Sequence, residues 1–333
     1  TSTTIQASAN WILKWKKKYG IVSRRITEVV TARCIKDREK KLKETAEFRD
    51  RIASIVANHP GIVIINADQT GLQKETSSAR TLARKGEKKV IRKAQSKSAT
   101  THSITLICAL WSTGSLSEKM FVQLGEPSGK LPARGCYTDN IIRVAVAKSH
   151  IMSRQSAIDF FKNVLFSGPL PPMFILILDS WPVFRDHALI RSCIPAGHTV
   201  FIENIPPGCT CLCQPADLSF NHQVKAVAKR LNDIVIVKEI DYKIAQRDNL
   251  LRFVSQLHWS FSSPVFAGFV SYGFYKGGFV SQKPAPFLTP KQVMFGPGSN
   301  NDCHSCLSVG CTICPRCTKS FCFNCFWRNL HRC

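Results

Sequence analysis

The chain has 333 residues and carries 46 lysines and arginines against 22 acidic residues, a formal net charge of +24. Residues 1–100 hold 23 basic and 9 acidic residues, so +14 of that excess lies in this part of the chain. An excess this large and uneven favours a polyanionic partner, nucleic acid first, over a merely solvated basic surface. The sequence has no apolar run near 18 residues, no signal-peptide core and no lipidation signal, which argues against a membrane partner.

Residues 1–57 are predicted to form a basic, helical region followed by a linker. The sequence starts at Thr1 rather than at an initiator methionine, as expected of a fragment. A first helix is predicted at about residues 7–20 and a second, strongly charged helix at about 32–57.

The first helix and the turn after it carry the candidate nucleic-acid contacts. The helix begins near a Ser8 or Asn10 cap and stops at Gly20, with Trp11 and Trp15 one turn apart. The candidate DNA-binding residues are Trp11, Lys14, Lys16, Lys17, Lys18, Arg24 and Arg25. A solvated face of a small helical bundle explains this pattern equally well, so both interpretations stay open.

Residues 58–290 are predicted to form a mixed α/β domain. Predicted strands lie at 61–68, 103–111, 119–124, 173–178 and 199–205, predicted helices at 156–165 and 220–231, and a basic hairpin at 76–92. The aromatic-rich run 259–279 is predicted to be core. This order of elements indicates a ribonuclease H-like sheet flanked by helices.

The strand at 173–178 is the most informative of these elements. Six apolar residues run without a charge from Met173 to Leu178 and end on Asp179. Such a run, entered from a proline-rich turn, indicates a strand buried on both faces. An ionised carboxylate at the end of a buried strand is costly unless a cation or metal meets it. The alternative is an Asp that only caps the next turn.

Two further acids repeat this construction. Asp68 closes the Val/Ile-rich strand at 61–68, and Asp217 stands at the N-terminal end of the helix predicted at 220–231. Three carboxylates at one sheet edge repel each other, and a pair of divalent cations relieves the repulsion. This is the arrangement of two-metal phosphoryl transfer. We therefore expect Asp68, Asp179 and Asp217 to lie within a few ångströms of one another.

The segment 300–333 is predicted to be a small zinc-binding module. Eight of the fifteen cysteines lie in the last 31 residues. The other seven are scattered, which indicates a reducing compartment and metal ligands rather than a disulfide knot. The candidate zinc ligands are Cys303, Cys306, Cys311, Cys314, Cys317, Cys322, Cys325, His331 and Cys333. Two tetrahedral zinc sites need eight of these nine, so one is spare, with Cys311 as the candidate.

Three blocks of the sequence resemble a known family. The most specific is residues 206–217, Pro-Pro-Gly-Cys-Thr-Cys-Leu-Cys-Gln-Pro-Ala-Asp. The others are residues 66–71 (Asn-Ala-Asp-Gln-Thr-Gly) with 178–180 (Leu-Asp-Ser), and residues 7–25, which are similar to the end of the family's second helix-turn-helix. Over roughly residues 5–285 the chain resembles DDE-superfamily transposases of the pogo/Tigger/jerky group, which includes centromere-protein-B-type host proteins. The first half of the family's paired DNA-binding region is absent.

The chain departs from this family at two positions beside the acids. Gln69 stands where a Glu commonly follows the first Asp, and Ser180 stands where an Asn commonly follows the second. Neither change removes an acid, but both affect the surroundings that orient metal ligands. The cysteine-rich run also resembles a RING-like or in-between-RING cross-brace, which is expected here to recognise DNA ends or protein.

The resemblance implies a nuclear DNA endonuclease or transposase that cuts and joins strands at transposon ends, with homo-oligomer formation left open. Asp68 and Asp179 would hold two Mg²⁺ (or Mn²⁺) ions between them, and Asp217 would complete the second site. The alternatives are a domesticated, catalytically silent DNA-binding protein that keeps the acids as structural residues, and a zinc-dependent protein-interaction module on an inert scaffold.

Overall fold

The computed structural model describes residues 8–22, 37–76, 94–96 and 98–333. The candidate contacts Arg24 and Arg25, and the predicted hairpin beyond Thr76, lie outside these residues. The chain divides into two compact units, Thr1–Lys40 and Lys41–Cys333. Within the described ranges, no helix is both long enough and apolar enough to cross a lipid bilayer.

The first unit contains the helix α1, Ala9–Lys18. Ser8 is its N-cap, and the Ser8 hydroxyl accepts a hydrogen bond of 3.2 Å from the Trp11 backbone N–H. Gly20, in the left-handed conformation at φ 62°, follows the end of the helix. Trp11 stacks on Trp15 with ring centroids 6.4 Å apart. The predicted helix and its stop are therefore confirmed, and of the two candidate caps the structure selects Ser8.

The second unit is built on a six-stranded mixed sheet. Its strands are β1 Val63–Gln73, β2 Ser103–Trp111, β3 Met120–Gly125, β4 Ile142–Ala147, β5 Met173–Leu178 and β6 Thr199–Asn204. The order across the sheet is β4-β3-β2-β1-β5-β6. β1, β2 and β3 pair antiparallel, whereas β5 pairs parallel with β1 and with β6, and β4 pairs parallel with β3. An antiparallel meander continued by parallel strands on the β1 side is the ribonuclease H-like arrangement, so the predicted fold class is confirmed.

Helices cover both faces of this sheet. The remaining α-helices of the described residues are α2 Arg38–Asn58, α3 Arg154–Phe160, α4 His187–Arg191, α5 Thr210–Cys213, α6 Asn221–Val237, α7 Arg247–Phe261, α8 Ala267–Gly277 and α9 Pro290–Met294. The core on one face contains residues of α2, α6, α7 and α8, and the core on the other face contains residues of α3 and α4. The two short strands β7 Thr312–Ile313 and β8 Ser320–Phe321 pair in the C-terminal segment, which joins the first core.

β5 is buried on both faces, as its continuous apolar run predicts. Ile175 and Ile177 belong to the core beneath α6, whereas Phe174, Leu176 and Leu178 belong to the opposite core. Each of these five side chains is fully buried. Burying one such side chain contributes about 1.5–3 kcal/mol, so β5 anchors both layers to the sheet.

Two elements differ from the sequence-based expectation. The predicted strand at 61–68 does not end at Asp68, because β1 continues to Gln73 and pairs with β2 as far as Gln73↔Ser103. Asp68 therefore lies inside a strand rather than at its end. The edge strand β4 was not predicted, and it pairs with β3 on one side only.

A buried histidine joins α7 to the turn between β2 and β3. His258 is 1% exposed, and its Nε2 lies 2.8 Å from the Ser117 carbonyl oxygen. Its Nδ1 lies 3.9 Å from the Cys108 Sγ. Burial lowers the pKa of His258 to about 4, because a charged imidazolium would lose its hydration.

We predict that this histidine makes folding stability sensitive to acid. Below the unfolded pKa of about 6.5 the unfolded chain binds a proton at His258 and the folded chain does not, so stability falls until the pH reaches about 4. The shift of about 2.5 units corresponds to a loss of about 3 kcal/mol. Urea unfolding of wild type and His258→Gln across this range measures the difference, because zinc release and other titrations affect both proteins. Parallel pH profiles of the two proteins would contradict the prediction.

Candidate active site and zinc groups

The parallel pairing of β1 with β5 brings the first two acids together. The register pairs Asn66 of β1 with Ile177 of β5. Asp68 and Asp179 each lie two residues further along the chain from one of these paired residues. Successive side chains of a strand point to opposite faces of the sheet. Ile65 and Ala67 belong to the core on the α3 and α4 face, so the Asp68 side chain lies on the α6 face. Strand register thus places both acids on one side of the same sheet.

Asn66 ties the third acid to these strands. Its Nδ2 donates a hydrogen bond of 2.9 Å to the Ile177 carbonyl, and its Oδ1 accepts one of 3.0 Å from the Ala216 backbone N–H. Ala216 begins the π-helical turn Ala216–Phe220, which contains Asp217. Because Asn66 is fully buried, both bonds are shielded from water and fix the position of this turn.

Two glycines of α8 allow this turn to pack closely. A Cβ atom at Gly273 would lie 2.6 Å from the Pro215 carbonyl oxygen, and one at Gly277 would lie 2.7 Å from the Cys213 carbonyl oxygen. Both distances are shorter than any van der Waals contact. Any other residue at these positions would push α8 away from the segment that leads into Asp217.

Asn221 connects the first acid to the third. Its Nδ2 donates to the Asp68 Oδ2 at 2.7 Å and to the Asp217 Oδ1 at 3.0 Å. Asn221 is the first residue of α6 and lies one turn after Asp217, at the i+4 position. Sequence reasoning missed this residue, although its i+4 spacing from Asp217 was a usable signal.

The three acids differ in burial and therefore in electrostatics. Asp68 is 5% exposed, Asp179 is half-buried and Asp217 is exposed. Burial raises the pKa of Asp68 well above its usual range, and the charges of Asp217 and Asp179 raise it further. Burial also raises the pKa of Asp179. The hydrogen bond of 2.7 Å that its Oδ1 accepts from the Trp181 backbone N–H lowers this pKa but does not offset the effect of burial.

The donor chemistry of this group of carboxylates suits a divalent cation. In the described part of the chain, no Lys, Arg or His side chain forms an ion pair with Asp68, Asp179 or Asp217. Oxygen donors with uncompensated charge are the ligands that Mg²⁺ and Mn²⁺ prefer. Gln214, three residues before Asp217, has a fully buried side-chain amide without a partner among the described residues. The acidic group is looser than the cysteine groups described below, because its oxygen atoms do not all lie within 4.8 Å of one another.

The two positions that depart from the family pattern differ in their geometry. Gln69 follows Asp68 along β1 and pairs with Ile107, so its side chain lies on the opposite face of the sheet. It therefore cannot share a metal ion with Asp68. Ser180 directly follows Asp179 and is half-buried.

Eight of the nine candidate zinc ligands form two groups of four. One group is Cys303, Cys306, Cys322 and Cys325, and the other is Cys314, Cys317, His331 and Cys333. The first and third ligand pairs along the chain make one group, and the second and fourth make the other. This interleaving is a cross-brace, in which neither site can form without the whole segment.

The distances within each group match a tetrahedral zinc site. Cys306 Sγ lies 3.6 Å from the Sγ atoms of both Cys322 and Cys325, and Cys314 Sγ lies 3.7 Å from Cys333 Sγ. Zn–S bonds of about 2.3 Å place two sulfurs of a tetrahedron about 3.8 Å apart. All eight cysteines of this segment are free thiols. Both groups could therefore bind zinc.

Cys311 lies outside both groups. Its Sγ contacts the Thr312 hydroxyl at 3.6 Å, and burial raises the pKa of its thiol. It is therefore a buried core residue, and the spare position among the nine candidates falls on it.

The second group is docked on α7 through two arginines that neighbour its ligands. Arg316 and Arg332 lie over the Trp259 ring at 4.9 Å and 5.6 Å from its centroid. Gln256 donates a hydrogen bond of 2.8 Å to the His331 carbonyl. Cation–π contacts contribute about 0.5–2 kcal/mol each, so this segment is held against the main domain.

Comparison with known proteins connects the C-terminal segment to one family. Residues 274–333 match the model of the Tc5 transposase C-terminal domain, a range that includes both ligand groups. A search of the curated proteins gives no match.

Solved structures similar to the chain include complexes of the Mos1 transposase. The Mos1 mariner paired end complex with Mn has a TM-score of 0.48 and 8% identity, over 84% of this chain and 72% of that chain. The pre-cleavage Mos1 transpososome has a TM-score of 0.45 and 9% identity, over 84% and 72%. The Mos1 strand transfer complex has a TM-score of 0.43 and 11% identity, over 84% and 71%.

We predict that Asn221→Ala destabilises the fold by about 1–3 kcal/mol, because the buried Asp68 loses its side-chain donor. Urea unfolding measures the loss. Asn221→Asp should cost more, since it adds a fourth carboxylate, and Mg²⁺ should stabilise that variant more than it stabilises wild type. The control Asn232→Ala removes another buried amide from α6, one that donates to the Thr76 carbonyl, and should leave the Mg²⁺ response unchanged. Equal unfolding midpoints for wild type and Asn221→Ala would refute the prediction.

We predict that the C-terminal segment binds two zinc ions per chain. Native mass spectrometry should find two zincs in wild type and two in Cys311→Ser, because Cys311 lies outside both groups. Cys322→Ser and Cys317→Ser should each lose one zinc, since each removes one of four ligands. Chelation should remove both ions and unfold the segment. Disulfides among Cys303–Cys333 without metal would be incompatible with this prediction.

Proposed function

We propose that this chain is a DDE-type transposase that binds DNA and cuts and joins its strands by metal-dependent phosphoryl transfer. The observation that carries the proposal is that Asp68, Asp179 and Asp217 lie on one face of a ribonuclease H-like sheet, where no cationic side chain of the described residues forms an ion pair with them. The match of residues 274–333 to the Tc5 transposase C-terminal domain supports it independently.

Each acid has a distinct task in this proposal. Asp68 and Asp179 would hold two Mg²⁺ or Mn²⁺ ions between them, and Asp217 would complete the second site. When bound, these ions supply an activated water or DNA 3′-hydroxyl and stabilise the leaving oxygen. Asn66 holds the Asp217 turn against β1 and β5, and Asn221 keeps Asp68 and Asp217 in register. A DNA strand would reach buried Asp68 from the side of half-buried Asp179 and exposed Asp217.

DNA affinity in this proposal comes largely from the basic N-terminal region. Lys16, Lys17 and Lys18 occupy the last turn of α1 and are exposed. Phosphate neutralisation by such residues gives affinity for any DNA sequence. We extend the proposal to a pogo/Tigger/jerky-type origin and a nuclear location, which rest on the sequence blocks alone.

A catalytically silent DNA-binding protein is the second candidate. The observation that favours it is the Asn221 amide, which donates to Asp68 and Asp217 and so gives both acids a structural partner without any metal. Acids held in this way could persist after catalysis was lost.

We predict that Asp179→Asn abolishes Mg²⁺-dependent strand cleavage and leaves DNA binding at least as tight as in wild type. The substitution removes a negative charge near the DNA, and the Asn oxygen can still accept the Trp181 N–H. Nicking of DNA that carries the element's own ends, and binding of the same DNA in Ca²⁺, measure the two effects.

Asp159→Asn is the matched control. Asp159 pairs with Arg143 of the edge strand β4, away from the three acids, so this variant should cleave DNA normally. A wild-type chain that binds DNA with steep salt dependence but never nicks it in Mg²⁺ or Mn²⁺ would establish that the protein is a catalytically silent DNA-binding protein. Cleavage by Asp179→Asn at the wild-type rate would exclude the proposed site.

A further inference from the structure

The helix α6 and the π-helical turn before it carry a row of polar side chains that starts at the candidate active site. Asp217, Asn221, Lys225, Lys229 and Asp233 follow one another at i+4 spacing. Residues four apart lie on the same side of a helix, about 6 Å apart along its axis. Asn221 contacts both Asp68 and Asp217, so Lys225 stands one turn and Lys229 two turns beyond the acids.

Three basic residues of α6 are open to a partner: Lys225 and Lys229 in this row, and Arg230, about 100° further around the helix than Lys229. Lys225 and Arg230 are exposed and Lys229 is half-buried, whereas Val224, Val227 and Leu231 fill the core on the other side. Within the ranges that the structure describes, none of the three cations forms an ion pair. By contrast, Arg143 and Arg247 bind carboxylates of the same domain.

A neighbouring helix widens this basic surface. α9 packs beside α6, where the Lys291 backbone N–H donates to the Gln223 Oε1 at 3.2 Å. The guanidinium of Arg230 lies 6.0 Å from the centre of the Phe295 ring, just beyond α9. The ring restricts Arg230 without neutralising it, so its charge is presented to solvent in a defined place.

We propose that Lys225, Lys229 and Arg230 bind the phosphate backbone of the DNA strand that leads into the acidic site. The inference rests on the proposed function and adds a second DNA contact surface to the N-terminal region. The spacing of the two lysines suits a DNA strand. Residues four apart on a helix are separated by about 6 Å along its axis, and two successive phosphate steps of one strand span about 7 Å along the duplex axis. The surface would hold the strand beside the acids and so position the scissile phosphate.

A solvated basic face would predict no special role for these three residues. On that interpretation, replacing Lys225, Lys229 and Arg230 would affect DNA binding no more than replacing any three exposed cations of the domain. Lys148, Lys162 and Arg191 provide that comparison, because they are exposed and lie beside the edge strand β4 or on the opposite face of the sheet. The two triple variants carry the same loss of charge.

The test measures salt dependence of DNA binding in Ca²⁺ for wild type, Lys225→Gln/Lys229→Gln/Arg230→Gln and Lys148→Gln/Lys162→Gln/Arg191→Gln. The slope of log K against log salt concentration should fall by about 0.9 per lost phosphate contact, hence by about 2–3 in the first variant, and stay at the wild-type value in the second. All substituted residues lie at the surface, and thermal unfolding verifies that both variants are folded. Equal slopes in the two variants would overturn the proposal.

A photo-crosslinking amino acid placed at position 225 or at position 162 gives a second readout. Crosslinks to DNA from position 225 and none from position 162 support the α6 surface. The reverse result, or crosslinks of equal yield, overturns it. Both experiments need no cleavage, so a chain that never nicks DNA would defeat the proposed function without affecting this test. A chain that nicks DNA while its α6 variant keeps the wild-type slope would defeat only this inference.

Discussion

The constraint on which the rest of the structure depends is the repulsion among carboxylates on one face of a buried sheet. Asp68 lies inside a strand, almost fully buried, and Asp179 and Asp217 raise its pKa further. Two amides make this arrangement tolerable. Asn66 joins β1, β5 and the Asp217 turn, and Asn221 donates to two of the three acids. A site that concentrates negative charge in this way is stable only while these amides, or a cation, satisfy the oxygen atoms.

The zinc-ligand segment is part of the same domain rather than an appended finger. Two arginines that neighbour candidate zinc ligands lie over the Trp259 ring. Cys303, Phe321 and Trp327 join the core that also contains α6. α7 connects this core to the β2–β3 turn through His258. A metal bound at the C-terminus would therefore support the layer that covers the acidic site.

The helix α6 combines the functions proposed for this protein. Its first residue donates hydrogen bonds to two of the acids, and its buried side packs on the sheet. Its solvent-accessible residues include three cations that form no ion pair with another described residue. A rigid helix fixes the distance between acids and cations, because each turn adds about 5.4 Å. Chemistry and strand positioning would then share one element, and glycines of α8 allow the segment that leads into it to pack closely.

The sequence by itself determined the elements whose local pattern records their burial. The strands β2 and β5, the helix α1 and the nine candidate ligands of the C-terminal segment were all predictable, since apolar runs and ligand spacings are properties of neighbouring residues. Tertiary structure decided the rest. The continuation of β1 beyond Asp68 depends on pairing with β2, and the hydrogen bond from Asn221 to Asp68 joins residues 153 positions apart. The exclusion of Cys311 follows from how the ligand pairs interleave, because contacts between distant segments depend on strand register and helix packing that no local pattern contains.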